Sequence, residues 1–405
     1  MTMTETAGKP ATPRYRAKKD RIVAVATAIL NQTGVDGFTL ARVAEAVGCH
    51  PATLGYYWRK DTLIETCVLE AADRIRAMAD AALATETPAG HVRGFVRTYF
   101  DERRRIWSGA APDYADFAEL RHSGPQAFEA YQAMFRAIAR LYRGAPTASD
   151  TRAGAPWARL VIEEIGWSRH WLRAADDADF HRGAAAMTQF LSEGLAAPGQ
   201  VWPQVPPPEA LAPPPDPVAA PREAFLAAAT RIMNANGYRG ASVERISASL
   251  GRTKGAFYHH HADKDEVIEA CFARTFQIMS DALVRAAAEP TGWRRLAVAA
   301  ASLAQRHNSP AGLMVRTYAL AGLPPRLRWT MTERFGEAAA GFRRFIEDGV
   351  ADGSIRAADP HAAAQMTLTL VNSSAYLNTW APQIPPEDVV DGYVRPTLMG
   401  LLRGA

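Results

Sequence analysis

Apolar residues recur at spacings of three and four positions along most of the 405-residue chain, whereas the alternation typical of β-strands is scarce. Alanine, leucine and arginine are abundant, and all three favour helices. Glycine and proline interrupt the apolar pattern at 109–112, 124–125 and 144–156. The chain is therefore predicted to be all-α.

The interruptions divide the apolar pattern into many helices. In the N-terminal part, helices are predicted at 22–30, 39–47, from 50 onward, and at 61–84, 90–108, 113–122, 126–143, 157–174 and 179–196. In the C-terminal part, they are predicted at 222–236, 242–250, 253–261, 265–288, 293–307, 310–321, 326–351, 361–380 and 387–402.

The segment 241–261 has a distinctive local pattern. A short helix with one apolar face begins at Ser242, and Gly251 supplies a tight turn, because a residue without Cβ turns there at little cost. A second helix, basic and aromatic, begins at the N-cap residue Thr253. Two short helices joined through a glycine predict a helix-turn-helix, the motif that places its second helix in the major groove of DNA.

The same pattern occurs a second time, in residues 39–57. Four pairs of equivalent residues are 203 positions apart: Gly34 and Gly237, Gly37 and Gly240, Arg42 and Arg245, Gly48 and Gly251. Cys67 and Cys271 are 204 apart, so the first copy lacks one residue. One chain therefore carries two helix-turn-helix motifs.

The two motifs lie in near-equal halves on either side of a proline-rich segment, 198–221. No packed helix or strand is expected there, and polyproline II is the physical expectation. The predicted organisation is a basic flexible arm (1–21), a first DNA-binding head (22–66), a first helical body (67–197), the linker (198–221), a second head (222–270) and a second body (271–405).

The net charge of +4 resides in the arm, because residues 1–21 contain six basic and two acidic side chains. A basic arm on a neutral body suits local contact with phosphate, and a solvated tail is the alternative interpretation. No apolar run approaches the roughly 18 residues of a membrane span, and no signal peptide is recognisable. Three cysteines without a spaced framework fit the reducing cytoplasm.

The residues from 222 to 270 resemble the TetR family of bacterial repressors. They combine an N-terminal helix, a Gly-x-x-Gly corner and the pattern S-V-x-x-I-x-x-x-L-G-x-x-K-G-x-F-Y-H-H-x-x-x-K. Residues 17–66 share the same frame more weakly, and the remaining helices are similar in number and length to the ligand-binding and dimerisation body of that family. The whole chain resembles two such proteins joined head to tail.

The resemblance implies which residues contact DNA. Thr39 and Ser242 resemble hydroxyls that bind phosphate at a helix start, and Arg252 and Thr253 lie where the family contacts base edges. The residues matched to DNA contacts in the second copy are Ser242, Arg252, Thr253, Lys254, Tyr258, His259 and Lys264. In the first copy they are Thr39, His50, Thr53, Tyr56, Tyr57 and Lys60.

The first copy departs from the family pattern. Gly55 stands where the family has tyrosine, and glycine within a helix costs about 1 kcal/mol relative to alanine. Cys49 replaces the potential guanine reader Arg252. The two heads are therefore expected to prefer different half-sites, and the first to bind more weakly unless Tyr56 or the basic arm compensates.

Each of these assignments has an alternative. Tyr56 and Tyr57 could be packing residues, although DNA contact is favoured for them, whereas Trp58 is expected in the core. The run 259–261 with Asp263 suggests a metal site, but consecutive helical histidines point about 100° apart and cannot converge on one ion. Neither a metal nor a cofactor is expected, and no catalytic motif is recognisable.

The resemblance also implies a cavity for a small effector. Candidate lining residues are Trp107, Phe135, Trp167, Trp171, Arg316, Tyr318, Asn372 and Trp380. Ordinary core packing is the alternative for each aromatic, because aromatics at helical spacing are usually core.

These features predict a ligand-responsive repressor that reads an asymmetric DNA operator and is released by an apolar or amphipathic effector. The halves are expected to form an intramolecular pseudo-dimer in which residues 157–196 and 359–402 pack as a four-helix bundle. Association of two such chains into a larger assembly is left open. The alternatives are an effector-independent regulator or activator, and a helical small-molecule-binding protein with one vestigial head.

Overall fold

The structure is a computed structural model that describes residues 12–117, 120, 123–145, 154–172, 174–206, 220–249, 264–309 and 313–403. In the first half (residues up to 197) the α-helices are α1 Pro13–Gly37, α2 Leu40–Val47, α3 Pro51–Tyr57, α4 Lys60–Ala82, α5 Pro88–Trp107, α6 Pro125–Arg140, α7 Ala155–Trp171 and α8 Asp177–Glu193.

The second half (residues from 222) has its head helices and body helices in the same order as the first. Its first helix, α9, begins at Ala220, two residues before the predicted start of the second head. Its α-helices are α9 Ala220–Gly240, α10 Val243–Ser249, α11 Lys264–Ala286, α12 Gly292–Asn308, α13 Pro325–Ala351, α14 Pro360–Ser374, α15 Leu377–Trp380 and α16 Arg395–Met399. Short 3-10 turns occupy Thr317–Gly322 and Pro386–Asp388, and a π-helical turn occupies Val390–Val394.

The predicted all-α fold is confirmed for the described residues, which form no β-strand beyond an isolated bridge between Ala196 and Ile355. None of the helices in the described ranges is both long enough and apolar enough to cross a membrane.

Two predicted helices, 113–122 and 310–321, are not found in their described residues. Residues 113–116 and 313–316 are not helical, 117 and 120 have 3-10 geometry, and a 3-10 helix follows at Thr317–Gly322, whereas 118–119, 121–122 and 310–312 lie outside the described residues. The N-terminal arm differs in the opposite direction. Thr12 caps α1 by accepting a hydrogen bond from the Tyr15 N–H, and Pro13 stands at the first helical position, so the basic residues 14–21 are helical rather than flexible.

Asparagine side chains explain the extended segments. The Asn31 carboxamide donates to the Tyr114 carbonyl (2.8 Å) and accepts from the Asp116 N–H (3.1 Å). A carboxamide that pairs with both backbone groups of a segment substitutes for the hydrogen bonds of a helix. The segment is therefore held extended against α1.

Asn234, 203 positions after Asn31, makes the same pair of bonds in the second half. Its carboxamide donates to the Met314 carbonyl (2.8 Å) and accepts from the Arg316 N–H (3.0 Å). Each asparagine thus joins the first helix of a head to the body behind it.

His307 supports the second extended segment from within the core. Its side chain is fully buried, and Nδ1 accepts a hydrogen bond from the Met314 N–H (3.1 Å). Burial, reinforced by the charge of Arg316, lowers the pKa of His307 to about 3. The imidazole is therefore neutral, as an acceptor at Nδ1 requires.

The two halves pack directly against each other. Helix α7 of the first half lies against α14 of the second, and the Trp167 Nε1–H donates to the Gln365 Oε1 (2.9 Å) within this buried contact. Aromatic rings extend the contact, since Phe135 and Trp380 have ring centroids 4.6 Å apart. Both polar and apolar groups of the two halves are thus buried together.

A second contact joins the C-terminal ends of the halves. The N–H groups of Leu195 and Ala196 donate to the Leu398 carbonyl (2.8 and 3.1 Å), and the Leu402 N–H donates to the Ser192 carbonyl (2.8 Å). Gly194 lies in this contact with φ of 64°, and a Cβ there would meet the Leu398 carbonyl oxygen. The backbones of the two halves approach closely because this position is glycine.

We expect Gly194→Ala to lower the free energy of unfolding by about 2–4 kcal/mol, because it combines a left-handed φ with an overlap against the other half. Urea unfolding followed by circular dichroism measures the loss. Gly199→Ala is the control, since Gly199 also has positive φ (82°) but no atom within 4 Å of the added Cβ. A loss of only about 1 kcal/mol is expected there. Equal losses in the two variants would contradict the close approach.

We expect His307 to make stability pH-dependent in acid. The unfolded imidazole protonates near pH ~6.5, whereas the folded one stays neutral down to about 3, so stabilisation is complete above ~6.5 and is lost as the pH falls towards 3. Between pH 7.5 and 5, wild type should lose about 2 kcal/mol more than His307→Gln, whose amide oxygen can still accept from Met314. Parallel pH profiles from urea unfolding would refute a depressed pKa.

Candidate nucleic-acid interface

Local capping interactions build the first head. Thr39 caps α2 by accepting from the Arg42 N–H (3.3 Å), and Gly48 ends α2 with φ of 80°. His50 caps α3, its Nδ1 accepting from the Ala52 N–H (3.2 Å), with Pro51 at the first helical position. Two short helices with defined ends therefore meet at a glycine turn, as the sequence predicts.

The second short helix, α3, buries only one side. Leu54 faces the core with 2% exposure, and Trp58 after the helix is 7% exposed, so Trp58 is a packing residue. Tyr56 and Tyr57 lie outside the core at 74% and 45% exposure, with ring centroids 5.0 Å apart. Two exposed phenols beside one another are available to bind a phosphate backbone.

The other residues of α3 and its cap that were matched to DNA contacts also face solvent. His50 and Thr53 are exposed, and so is Thr39 at the start of α2. Gly55 lies between them, and a Cβ there would meet nothing within 4 Å. The position where relatives place a tyrosine is thus open, and the bare backbone of α3 faces outwards.

The lysines at the start of the long helices have partners within the protein. The Lys60 ammonium donates to the Val35 carbonyl (2.7 Å), and the Lys264 ammonium lies 4.0 Å from the ring centroid of Tyr238. Val35 and Tyr238 follow the glycine corners, 203 positions apart. Both lysines thus tie the long helix to the corner of the first helix, which holds the two elements in a fixed orientation.

The described part of the second head repeats the contacts of the first. The Ser242 Oγ accepts from the Arg245 N–H (3.3 Å), and the Arg245 guanidinium donates to the Gly240 carbonyl (3.1 Å). In the first head the Arg42 guanidinium donates to the Gly37 carbonyl (3.0 Å). Arg252, Thr253, Lys254, Tyr258 and His259 lie outside the described residues, as does the histidine run considered for metal binding.

Sequence reasoning identified the basic arm, which includes the cations of α1, but missed two further exposed cations of the first head, Arg42 and Arg59. Arg42 on α2 and Arg59 before α4 are both exposed, and the cations of α1 include exposed Arg14, Arg16 and Lys18. Arg42 could have been found from its partner Arg245, 203 positions later. Clustered cations on a helix-turn-helix surface suit phosphate contacts.

A cleft of about 770 Å³ lies between the two halves, bordered by α1, α7, α9, α13 and α15; we call it the central cleft. Among the candidate effector-binding residues, Trp167 and Trp380 line it. Phe135 packs against Trp380, with ring centroids 4.6 Å apart, and Arg316 lies over the Tyr376 ring that also lines the cleft. Two of the predicted residues therefore line the cleft, and two more contact its lining.

The other candidates lie elsewhere. Trp107 is 51% exposed at the end of α5, where it packs on Phe180, so it lines no interior site. Asn372 is buried, and its amide donates to the Leu368 carbonyl of its own helix. Trp171 is buried beside a separate cavity of about 290 Å³. The side chain of Tyr318 lies outside the described structure.

Sequence reasoning also missed Arg159. This residue of α7 is 7% exposed, donates to the Tyr131 hydroxyl (3.0 Å), pairs with Glu163 and lies 4.2 Å from the ring centroid of Tyr376. No periodic signal distinguishes it from the other arginines of amphipathic helices. Only the packing of the second half against α7 brings Arg159 to the cleft.

Comparison with known proteins locates one family match. Residues 225–271 match the family model described as bacterial regulatory proteins, tetR family. The chain is 39% identical over 61 residues to the Transposon Tn10 TetC protein of Escherichia coli, which covers 15% of this chain and 30% of that protein. It is 37% identical over 49 residues to the HTH-type transcriptional repressor AcnR of Corynebacterium diphtheriae, which covers 12% of this chain and 26% of that protein.

The matched segments thus span less than a third of either relative's length. A crystal structure of the TetR family transcriptional regulator PfmR from Thermus thermophilus covers 44% of this chain and 98% of that one, at 22% identity and a TM-score of 0.37. The family match is thus confined to residues 225–271, whose described part comprises most of α9, all of α10 and the start of α11.

Proposed function

We propose that this chain is a DNA-binding transcription regulator that supplies both heads of an operator-binding unit in one polypeptide. The observation that carries the proposal is the recurrence of head contacts at equivalent positions. The hydroxyl caps of α2 and α10, the arginine bonds to Gly37 and Gly240, and the asparagine bonds to the extended segments occur in both halves. The family match to residues 225–271 supports DNA binding by this arrangement.

The contacts between the halves support an intramolecular pseudo-dimer. Relatives that bind DNA as dimers pair identical surfaces of two chains. Here α7 and α8 pack against α14, and α8 also packs against α16; apart from the first two residues of α7, these helices lie within the predicted segments 157–196 and 359–402. The buried bond between Trp167 and Gln365 and the backbone bonds to Leu398 belong to the same arrangement.

Differences between the heads support an asymmetric operator. The first head presents Cys49, exposed Tyr56 and Tyr57, and the open position at Gly55. The second head carries Arg252 at the position of Cys49, and an arginine there can pair bidentately with guanine. Two unlike surfaces on one rigid frame favour two unlike half-sites.

The central cleft supports control by a small molecule. Its volume lies within the usual range for ligand sites, and both aromatic and charged residues line it. An effector that binds more tightly to a form unable to engage both half-sites would release the operator, since only differential affinity shifts a population. Repression by the operator-bound form follows from occlusion of the promoter.

Selection of bound sequences from a random DNA pool tests the proposal. We expect an asymmetric consensus whose two parts are centred about one helical turn apart, with one chain bound per site. Mass photometry of the complex gives the stoichiometry. A palindromic consensus occupied by two chains would refute the intramolecular arrangement. Binding that is independent of both sequence and salt would instead favour a small-molecule-binding protein with vestigial heads.

Replacing Tyr56 and Tyr57 together by alanine should weaken operator binding about tenfold, because two exposed hydrogen-bonding groups are removed without loss of core packing.

The Lys254→Ala variant should weaken operator binding, and it should also reduce the slope of log binding constant against log salt concentration by about one, because one phosphate contact is lost. Fluorescence anisotropy at several salt concentrations measures both effects.

Trp329→Ala provides the matched control, since Trp329 is 68% exposed on α13 and belongs to neither head. It should bind the operator like wild type. Unchanged affinity after the double tyrosine replacement would refute a contribution of the first head to operator binding.

A further inference from the structure

The central cleft lies where both heads meet both bodies. Its lining includes Leu30 and Asn31 at the end of the first helix of head one, and Asn234 and Asn236 at the end of the first helix of head two. Asn31 and Asn234 are the residues that hold the extended segments. A molecule in this cleft would therefore contact the joints of both heads at once.

Both halves contribute aromatic side chains to the walls of the cleft. Tyr131, Trp167, Tyr376 and Trp380 come from both halves, and Arg159 of the first half lies against the Tyr376 ring of the second. Arg316 lies 4.4 Å from the centroid of the same ring. Flat side chains contributed by both halves favour a flat aromatic occupant.

The charges in the cleft favour an anion. Among the described lining residues, three guanidinium groups face two carboxylates. Arg159 pairs with Glu163, and Arg169 pairs with Asp116 at 2.7 Å. The third guanidinium, that of Arg328, has no carboxylate at ion-pair distance within the described chain. Its described bond is to the Gln32 carbonyl at 3.2 Å. Among the residues that the structure describes, one positive charge in the cleft thus has no acidic partner.

Arg328 also links distant parts of the fold. It belongs to α13 of the second body, whereas Gln32 belongs to α1 of the first head. A carbonyl oxygen is a weaker acceptor for a guanidinium than a carboxylate or sulfonate, because the anion adds the attraction of a full negative charge and can accept two parallel N–H bonds. An anion in the cleft would compete with Gln32 for Arg328.

We propose that the central cleft is a single binding site shared by the two halves, and that its ligand is a planar aromatic monoanion whose acidic group binds Arg328. One ligand binds per chain, and neither half alone forms the site. Resting on the proposed function, the regulatory consequence is that the ligand draws Arg328 from Gln32 and thereby frees the first head from the second body.

Two dyes that share one aromatic skeleton and differ only in a sulfonate group test whether the site prefers an anion and how many ligands one chain binds. The probe 8-anilinonaphthalene-1-sulfonate carries one sulfonate, and N-phenyl-1-naphthylamine is the same skeleton without it. We expect the sulfonate to bind the full chain at one site, measured by calorimetry, and about tenfold more tightly than the neutral dye, measured by fluorescence. Two equivalent sites per chain, or equal affinity of the dyes, would overturn the proposal.

Variants then place the site. Arg328→Gln should weaken the sulfonate about tenfold, should leave the neutral dye within about twofold, and should be rescued in part by Arg328→Lys. Gly166 on α7 lines the cleft, and a Cβ there meets nothing within 4 Å, so Gly166→Leu should fill the cleft and exclude both dyes.

Gly336→Leu is the matched control. Gly336 lies on α13 outside the central cleft, and a Cβ there also meets nothing within 4 Å. It should bind both dyes like wild type, with circular dichroism confirming the helix content of each variant. Unaltered sulfonate affinity in folded Arg328→Gln, or in folded Gly166→Leu, would place the dye elsewhere and refute the site.

Dye binding requires no DNA, so these results stand apart from the proposed function. If the dye binds as expected but does not change operator affinity, the cleft is a ligand site and its regulatory consequence is refuted. If the chain fails to bind an operator at all, the proposed function fails while the dye titration still decides the site.

Discussion

The packing of α7 against α14 is the constraint on which the rest of the arrangement depends. Each head is tied to its own body by an asparagine, and a lysine fixes the corner of its first helix against the long helix that continues into the body. The separation of the heads therefore follows from how the bodies meet. The Trp167 Nε1–H and the Gln365 Oε1 satisfy each other inside that contact, where an unpaired group would cost about 1–3 kcal/mol. A buried polar bond of this kind favours one relative position of the bodies over others that would bury the same apolar area.

The asparagines connect this rigid packing with the surface that we propose binds DNA. A carboxamide that donates and accepts at once on the same backbone segment has one favourable orientation, so Asn31 and Asn234 fix the first helix of each head against its body. The same helix ends border the central cleft. The position that determines head orientation is thus also the position that a small molecule can reach.

Periodicity predicted most of the fold, because helices of eight or more residues with one apolar face leave a clear pattern. It failed at 113–116 and 313–316, where helix-compatible residues are held extended by the side chains of Asn31 and Asn234, more than 75 positions earlier. It also treated 14–21 as flexible on charge alone and overlooked the Thr12 cap and Pro13. Contacts between distant segments leave no local signal in the sequence.

The same distinction applies to the candidate sites. Caps and exposed positions of the first motif follow from local pattern, and His50, Tyr56 and Tyr57 lie where that pattern puts them. The composition of the central cleft does not follow from local pattern, because Arg159 and Arg328 approach the cleft only after the halves associate. Trp107 shows that local pattern can also suggest a site residue wrongly. It has helical spacing from other apolar residues, yet it is exposed because it is the last residue of α5.

The two N–H groups that bind Asn31 and Asn234 belong to Asp116 and Arg316, which occupy matching places in the halves but carry opposite charges. In a symmetric dimer of identical chains, any substitution at this place would appear on both sides of the axis. A single gene that encodes both sides can place an acid on one and a base on the other. In such a chain, one substitution changes the contact between head and body in one half only, so the two contacts can evolve separately.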